Sequence, residues 1–401
     1  MAPMQTVVVV GASLAGLRGA EALRRHGFDG RLVLVGDEPH APYDRPPLSK
    51  EVLRGERAPD AIALAKPESL AALSLELRTG ARAVSLDPSR RRLALAGGEE
   101  IDFDGLLIAT GARARPLPGA PALAGVFTLR TLDDCLAIRA ALAGSPRVVV
   151  VGAGFIGAEV AASCRAIGLA VTLLEALPWP MARVLNADVG AVCAAIHRDH
   201  GVDVRLGTGV AGIEGGTRVE RVRLHDGSCV EADVVIVGIG AVPETGWLSS
   251  SGLALDDGVV CDERCAAAPG VVAAGDVARW RHPVYGDHIR IEHWTNAVEM
   301  GEAAAARLLH GDAAPPFAPV PFVWSDQYDV KIQSTGHIHP DDDMVVAHGS
   351  LAERRFVALF GRHGRLVGAL AMNRVRQLMG CRRMLREGVS WEEAVARAKQ
   401  V

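Results

Sequence analysis

Two copies of one strand–helix–strand pattern, each followed by short strands, and a strand-rich tail predict an α/β chain. It holds two Rossmann-like domains and a C-terminal α+β domain. The clearest copy begins at Val148-Val149-Val150-Val151, a β-branched apolar run of the kind that forms a buried parallel strand. Gly152-Ala153-Gly154-Phe155-Ile156-Gly157 follows, then a helical stretch from Ala158 to Ile167 and a stop at Gly168. A second apolar run, Ala170 to Leu174, ends in Glu175. Here Gly152 permits the tight turn, Gly154 lets the backbone approach a pyrophosphate, and Gly157 lets helix and strand pack closely. The helix N-terminus offers unpaired N–H groups and about half a positive charge to phosphates. Glu175 can accept from a ribose 2′-hydroxyl. Glycines alone mark ordinary turns; strand, triplet, helix, strand and terminal acid in order are far more specific.

The pattern recurs near the N-terminus. Val7 to Val10 leads into Gly11-Ala12-Ser13-Leu14-Ala15-Gly16, a helix through Arg25, and a strand from Arg31 to Val35 ending at Gly36-Asp37-Glu38. Ser13 stands at the middle glycine position, small enough for close approach but tighter. Two such units imply two dinucleotides, or one dinucleotide and one relic.

A length of 401 residues suits two or three domains. A net charge of −4 does not point to nucleic acid as the main partner. No run approaches the ~20 apolar residues of a membrane span, and a strand so near the N-terminus leaves no room for a signal peptide. Seven scattered cysteines suit reduced thiols in a cytoplasm. Cys261 and Cys265 lack redox-pair spacing, and no His/Cys cluster has metal-ligand spacing. His197 and His200, at a helix end, read as surface residues.

In order along the chain, Ala41-Pro42-Tyr43-Asp44-Arg45-Pro46-Pro47-Leu48-Ser49-Lys50 reads as a stiffened loop, with Ser49 placed to cap a following helix. It is either a functional loop or a solvated linker; the stretch alone does not choose. Residues 75–104 read as an antiparallel meander: Leu75 to Arg78, Ala83 to Leu86, Arg92 to Leu95. Leu106 to Gly111 is a buried strand, Arg113 to Gly119 a linker, and Leu132 to Leu142 a helix after Arg130-Thr131. After the second unit, Val202 to Leu206, Val210 to Ile213, Arg218 to Leu224 and Cys229 to Glu231 repeat the short strands, with a hairpin at Asp226-Gly227. Val234 to Gly240 echoes 106–111, so the duplication is architectural. Val271 to Val277 is a further strand whose Asp276 either meets ribityl hydroxyls or caps a turn. Thr295 is expected to cap an Ala-rich helix to His310. Prolines 315–321 mark a boundary, and the tail holds strands at 331–333, 345–347, 356–360 and 366–370, then helices. The expected domains are 1–110 with 242–314, 111–241, and 315–401.

At this point the chain resembles the bacterial FAD-dependent NADH:ferredoxin reductases of the putidaredoxin reductase type, in the glutathione-reductase-like superfamily. The likeness spans essentially the whole length. Its most specific pieces are Pro46-Pro47-Leu48-Ser49-Lys50, Ala109-Thr110-Gly111, Gly152 to Glu159, Val237 to Gly240, Ala274-Gly275-Asp276 and Trp324-Ser325-Asp326-Gln327-Tyr328. The resemblance implies FAD on the first unit, at Gly11, Ser13, Leu14, Ala15 and Gly16. Asp37 would hold the adenosine ribose and Ala83 the adenine side. Arg130 and Asp276 would meet the cofactor's middle and ribityl chain. Trp294, at the helix start beside Thr295, would lie at the flavin's pyrimidine end, where a helix dipole stabilises negative charge. Lys50 would sit at the flavin N5 edge, paired with Glu159; these two are the implied catalytic residues. NADH would occupy Gly152, Gly154, Phe155, Ile156, Gly157, Gly238 and Ile239, with Glu175 and Arg183 on its adenosine ribose. Glu292 and Trp324 would border the nicotinamide and the exit to the acceptor. Departures are Ser13, the rigid Leu177-Pro178-Trp179-Pro180-Met181, and Trp294.

The implied function is transfer of a hydride from NADH to FAD, then of single electrons to a 2Fe–2S ferredoxin serving a cytochrome P450 or ring-hydroxylating dioxygenase. No metal ion, nucleic acid or membrane is expected, and the protein is expected to be a monomer or weak dimer. Arg374, Arg376, Arg382, Arg383 and Arg386 form either an electrostatic docking site for an acidic ferredoxin or a solvated helix face. The rivals are a rubredoxin reductase, an NADH oxidase, a disulfide-type enzyme, and a flavin-bound signalling protein. Neither 42–50 nor 152–159 holds the cysteine that disulfide chemistry needs.

Overall fold

The computed structural model describes residues 4–398 and divides the chain into two compact units. The first comprises Met1–Asp44, Asp60–Arg113 and Val242–Pro321. Its six-stranded sheet runs Ala266–Ala268, Val271–Ala273, Gly105–Ile108, Thr6–Val10, Arg31–Val35, Glu76–Arg78. Thr6–Val10 lies between two parallel neighbours and is shielded on both faces, so an unbroken valine run suits it. Helix Leu14–Arg25 packs on helix Trp294–His310 so closely that a Cβ on Gly301 would fall 2.5 Å from the Ala15 carbonyl oxygen.

Three sequence expectations change in this unit. Glu76–Arg78 does not lead the meander; it joins the sheet parallel to Arg31–Val35, after a short crossover helix, Pro67–Ala72. The meander is Ala83–Asp87, Arg92–Leu95 and Glu100–Asp102. The strand at Val271 stops at Ala273, because Gly275, at φ +76, turns the chain into a 3-10 helix over Gly275–Val277. The long helix starts at Trp294 with His293 as its cap residue, so Thr295 lies inside the first turn and not at the cap position.

The second unit comprises Arg45–Pro59, Ala114–Ala241 and Phe322–Val401. Its parallel sheet is ordered Asp203–Arg205, Val171–Leu174, Val148–Val151, Val234–Val237, Val126–Thr128. Helix Phe155–Ala166 begins earlier than Ala158, directly after Gly154. Val210–Gly215, Val219–Leu224 and Cys229–Glu231 form the second meander, with Asp226-Gly227 at the hairpin. The same unit holds a five-stranded antiparallel sheet, Phe322–Gln327, Val330–Gly336, Arg365–Met372, Arg355–Arg362, Asp343–Ser350, then helices Val375–Glu387 and Trp391–Ala398. Phe322–Gln327 is one strand more than expected. Ala112–Ala114 is a short strand that overlaps the start of the linker expected over Arg113 to Gly119.

The proline pair at 46–47 does not exclude helix. Both prolines sit in the first positions of a 3-10 turn, Pro46–Ser49, where no intrahelical N–H is needed. A helical turn, Glu51–Arg54, follows Lys50. Ser49 does not cap it; its hydroxyl is used elsewhere.

Candidate functional site

In the second unit the carboxylate of Glu159, on the helix that follows the glycine motif, gathers three donors. Lys50 Nζ donates to Oε2 at 2.6 Å, Ser49 Oγ to Oε2 at 2.5 Å, and Ser325 Oγ to Oε1 at 2.8 Å. Lys50 is 7% exposed and Glu159 3%. A buried ammonium and a buried carboxylate are each costly alone, and the extra hydroxyl bonds are what make such a pair tenable. The turn carrying Lys50 is pinned further: Ser163 Oγ donates to the Ser49 carbonyl at 2.6 Å, and Cys135 Sγ to the Leu48 carbonyl at 3.2 Å. Burial pushes the Cys135 thiol up to about 11 and that of Cys164, on the Glu159 helix, to about 12. Neither is poised as a thiolate nucleophile.

The glycines at 152–157 divide by what surrounds them. Gly152, at φ +98, would put a Cβ 2.5 Å from the Gly238 carbonyl oxygen, and a Cβ on Gly157 would lie 1.9 Å from that of Gly152. These two are required by the fold. Gly154 has φ −71, open to any residue, and nothing lies within 4 Å of its Cβ position. Its helix has no side-chain cap and no acid in the first turn. Bare first-turn N–H groups facing open space form a cradle for phosphate. Glu175 accepts from the Ala153 N–H at 2.7 Å and the Leu177 N–H at 2.9 Å, which aims its carboxylate beside that cradle. The Met181 N–H donates to the Ala153 carbonyl at 3.0 Å, so the Trp179–Pro180 segment folds back on the same turn. Arg183 is exposed and reaches Gly240; Ile156 is 45% exposed at the helix start, and Phe155 is half-buried. Ile239 packs against the sheet's core.

In the first unit Gly11 (φ +120) and Gly16 are likewise dictated by packing: their Cβ atoms would lie 2.0 Å from the Ala109 carbonyl oxygen and 1.9 Å from that of Gly11. Ser13 occupies the cap position of helix Leu14–Arg25 in extended conformation, without a side-chain cap bond, so that helix start is also open. Leu14 and Ala15 form its buried first turn. Asp37 is exposed just past its strand, 4.0 Å from Arg82, and Ala83 opens the meander. Asp276 is half-buried, not buried. Its carbonyl accepts from Arg290 Nη1 at 3.2 Å, and the same guanidinium pairs with Glu292 at 2.6 Å and Asp257 at 3.1 Å. Arg290 thus organises two expected site residues, and sequence reading missed it; its alternation with Glu292 on one extended segment was the available signal. Trp294 Nε1 donates to Asp44 at 2.8 Å.

Arg130 and Trp324 belong to the second unit. The Arg130 carbonyl accepts from Arg45 at 2.7 Å, next to the capping box that Thr131 makes with Asp134. Trp324 is half-buried beside Phe322. The arginine run splits: Arg376, Arg383 and Arg386 face solvent on helix Val375–Glu387, with Val375 and Met379 exposed among them. Arg382 lies over the Phe322 ring, and Arg374 donates to the Arg355 carbonyl. His197 is not a surface residue. It is fully buried, its Nδ1 3.0 Å from Tyr328 Oη, while His200 is exposed and stacks on the Tyr328 ring at 3.6 Å. Among the described residues no helix is long and apolar enough to cross a membrane, and no cluster has the makings of a metal site.

Residues 5–301 match the family described as pyridine nucleotide-disulphide oxidoreductase, and residues 322–401 match the reductase C-terminal family. Rhodocoxin reductase of Rhodococcus erythropolis is 37% identical over 384 residues, covering 95% of this chain and 89% of its own. The ferredoxin–NAD(+) reductase subunit of the benzene 1,2-dioxygenase system of Pseudomonas putida is 38% identical over 346 residues, covering 85% and 82%. Putidaredoxin reductase, in the crystal structure of its covalent complex with putidaredoxin, superposes with a TM-score of 0.92 at 34% identity, covering 99% of both chains. Likeness over the full length reaches both glycine motifs and the strand that supplies Ser325, and the chain belongs to the pyridine nucleotide-disulphide oxidoreductase family, in its branch of ferredoxin reductases of the putidaredoxin reductase type.

Proposed function

We propose that this protein oxidises NADH and delivers the electrons one at a time to a 2Fe–2S ferredoxin serving a cytochrome P450 or a ring-hydroxylating dioxygenase. The balance is NADH plus two oxidised ferredoxins giving NAD+, one proton and two reduced ferredoxins. The observation that carries this reading is the Glu159 cluster. One carboxylate ties the helix of the NADH motif to the Lys50 turn and to the Ser325 strand.

FAD, when bound, supplies the conversion between a two-electron donor and a one-electron acceptor. Gly11, Ser13, Leu14, Ala15 and Gly16 offer it an open helix start, with Asp37, Ala83, Arg130, Asp276 and Trp294 assigned to the rest. The open helix start at Gly154, with Phe155, Ile156, Gly238 and Ile239, receives the NADH pyrophosphate. We assign Glu175 to accept from the adenosine ribose with Arg183 flanking it, and keep Glu292 and Trp324 as the residues the family resemblance implies for the nicotinamide. Lys50, held by Glu159, would supply a fixed positive charge to the chemistry of the bound flavin. We assign 1–110 with 242–314 to FAD, 111–241 to NADH and 315–401 to the α+β domain, and place the protein in the cytoplasm as a monomer or weak dimer.

Anaerobic stopped flow tests the reading. NADH is expected to bleach the flavin fast, NADPH slowly, and a 2Fe–2S ferredoxin to restore the colour. The carboxylate of Glu175 repels a 2′-phosphate, so Glu175→Ala is expected to narrow the gap between the two nucleotides by about tenfold, or roughly 1.4 kcal/mol. Equal bleaching by both nucleotides with the native protein would refute the assignment. A flavin that stays reduced with every carrier would point to signalling instead.

We further assign ferredoxin docking to the exposed face of helix Val375–Glu387, where Arg376, Arg383 and Arg386 would steer an acidic partner and Val375 and Met379 give apolar contact. The pair Arg383→Glu/Arg386→Glu is expected to slow ferredoxin reduction at least tenfold at low salt and to flatten its salt dependence. Bleaching by NADH is expected to stay unchanged. An unaltered salt dependence would place docking elsewhere.

A further inference from the structure

The polar cluster does not stop at Glu159. Ser325 Oγ spends its single proton on Glu159 Oε1, so it must accept from Gln327, whose Nε2 lies 3.1 Å away. That bond fixes the amide: Nε2 faces Ser325, and Oε1 faces away. Gln327 Oε1 is buried without a hydrogen-bond partner among the described residues, and so is His197 Nε2. Gln327 directly precedes Tyr328, whose ring lies edge-on to the His197 imidazole with centroids 5.5 Å apart. The imidazole Nδ1 lies 3.0 Å from Tyr328 Oη. Two fully buried orphans, a carbonyl acceptor on Gln327 and a ring nitrogen able to donate on the histidine that packs against its neighbour Tyr328, call for an explanation.

We infer that His197 is held as the neutral Nε2–H tautomer, and that Tyr328, His197, Gln327 and Ser325 form a one-way donor chain that positions the Glu159 carboxylate. Tyr328 O–H donates to His197 Nδ1, His197 Nε2–H to Gln327 Oε1, Gln327 Nε2–H to Ser325 Oγ, and Ser325 O–H to Glu159 Oε1. Every bond runs the same way and ends on the carboxylate, so each polarises the next. The opposite tautomer would set two acceptors facing each other at Gln327. An imidazolium would turn Nδ1 into a donor and force the Tyr328 hydroxyl round. Burial works against that ion, pushing the pKa of His197 down to about 4. His197 therefore acts through Gln327 and Ser325 and is a positioning residue. Its effect on the flavin rests on the assignment of Lys50 and Glu159 above; the direction of the chain does not.

Two measurements test this on the FAD-loaded protein. Long-range 1H–15N correlation spectra of histidine-labelled protein, with the His197 signal assigned by its loss in His197→Gln, are expected to show a protonated Nε2 and a bare Nδ1 at neutral pH. A protonated Nδ1 would overturn the chain. The second measurement compares His197→Gln, which puts an amide N–H at the Nε2 position, with His197→Asn, which puts it at Nδ1. The midpoint potential and absorbance maximum of the flavin are expected to stay native with Gln and to shift with Asn. Lys50→Met serves as the reference. Should it move the flavin while both His197 variants behave alike, the positioning role is wrong. Should Lys50→Met leave the flavin untouched, the assignment of the pair to the flavin fails, and the tautomer spectrum still decides the chain itself.

Discussion

Gly154→Val is expected to leave the thermal unfolding and FAD content of the protein unchanged, while raising the KM for NADH by about 10²-fold, the loss typical of a misplacement near 1 Å. The three glycines of the motif do different jobs. Gly152 and Gly157 have backbone oxygens at 2.5 Å and 1.9 Å from their Cβ positions, so alanine at either disrupts the fold itself. Gly154 has an ordinary φ of −71 and empty space around it. The fold has no need of a glycine there, as Ser13 at the matching position of the first unit demonstrates. What needs the space is a pyrophosphate approaching the helix start. Steady-state kinetics beside a melting curve checks this, with Gly154→Ser expected to fall between native and valine. A valine variant that melts lower and binds NADH normally would mean that the opening serves packing and not the dinucleotide.

The parts of this protein that were legible from sequence are those whose information is local. A valine strand, a turn that only glycine can make and an acid at the next strand's tip lie within one short segment, and both copies fold accordingly. The Lys50 cluster was not legible from the residues alone, because Glu159 is 109 positions from Lys50 and 166 from Ser325. Only the family resemblance suggested the pair, and it did not suggest the serines. Strand Phe322–Gln327 escaped for a related reason. Its inward residues are Ser325 and Gln327, both fully buried, so the alternation reads inside out. The polar residues that hide the strand are the ones that bind Glu159 and lead to His197. His197 misled in the same way: beside Arg198 and Asp199 it has the look of a solvated helix end, and its partner Tyr328 arrives 131 positions later. Local pattern rules failed where buried polar groups satisfy one another across long separations, and that is where the chemistry sits.

Glu159→Leu is expected to destabilise the protein by about 3–5 kcal/mol, the range for breaking a buried ion pair from one side. The leucine would leave the Lys50 ammonium buried with no counter-charge, leave Ser325 without its acceptor, and leave Ser49 only the Pro46 carbonyl at 3.3 Å. The double variant Lys50→Met/Glu159→Leu is expected to recover most of that loss, because removing both charges removes the desolvation cost along with the attraction. Urea unfolding of the two variants beside the native protein measures both effects. The comparison separates stability from function. If the pair served folding alone, the double variant would regain both its unfolding midpoint and its flavin properties. If the pair sets the charge at the flavin, the midpoint returns while the flavin potential stays displaced and reduction by NADH stays slow. A double variant no more stable than Glu159→Leu would mean that the cost lies in the hydroxyl bonds to the carboxylate rather than in the buried charge, and the weight of the site would shift from Lys50 to Ser49 and Ser325.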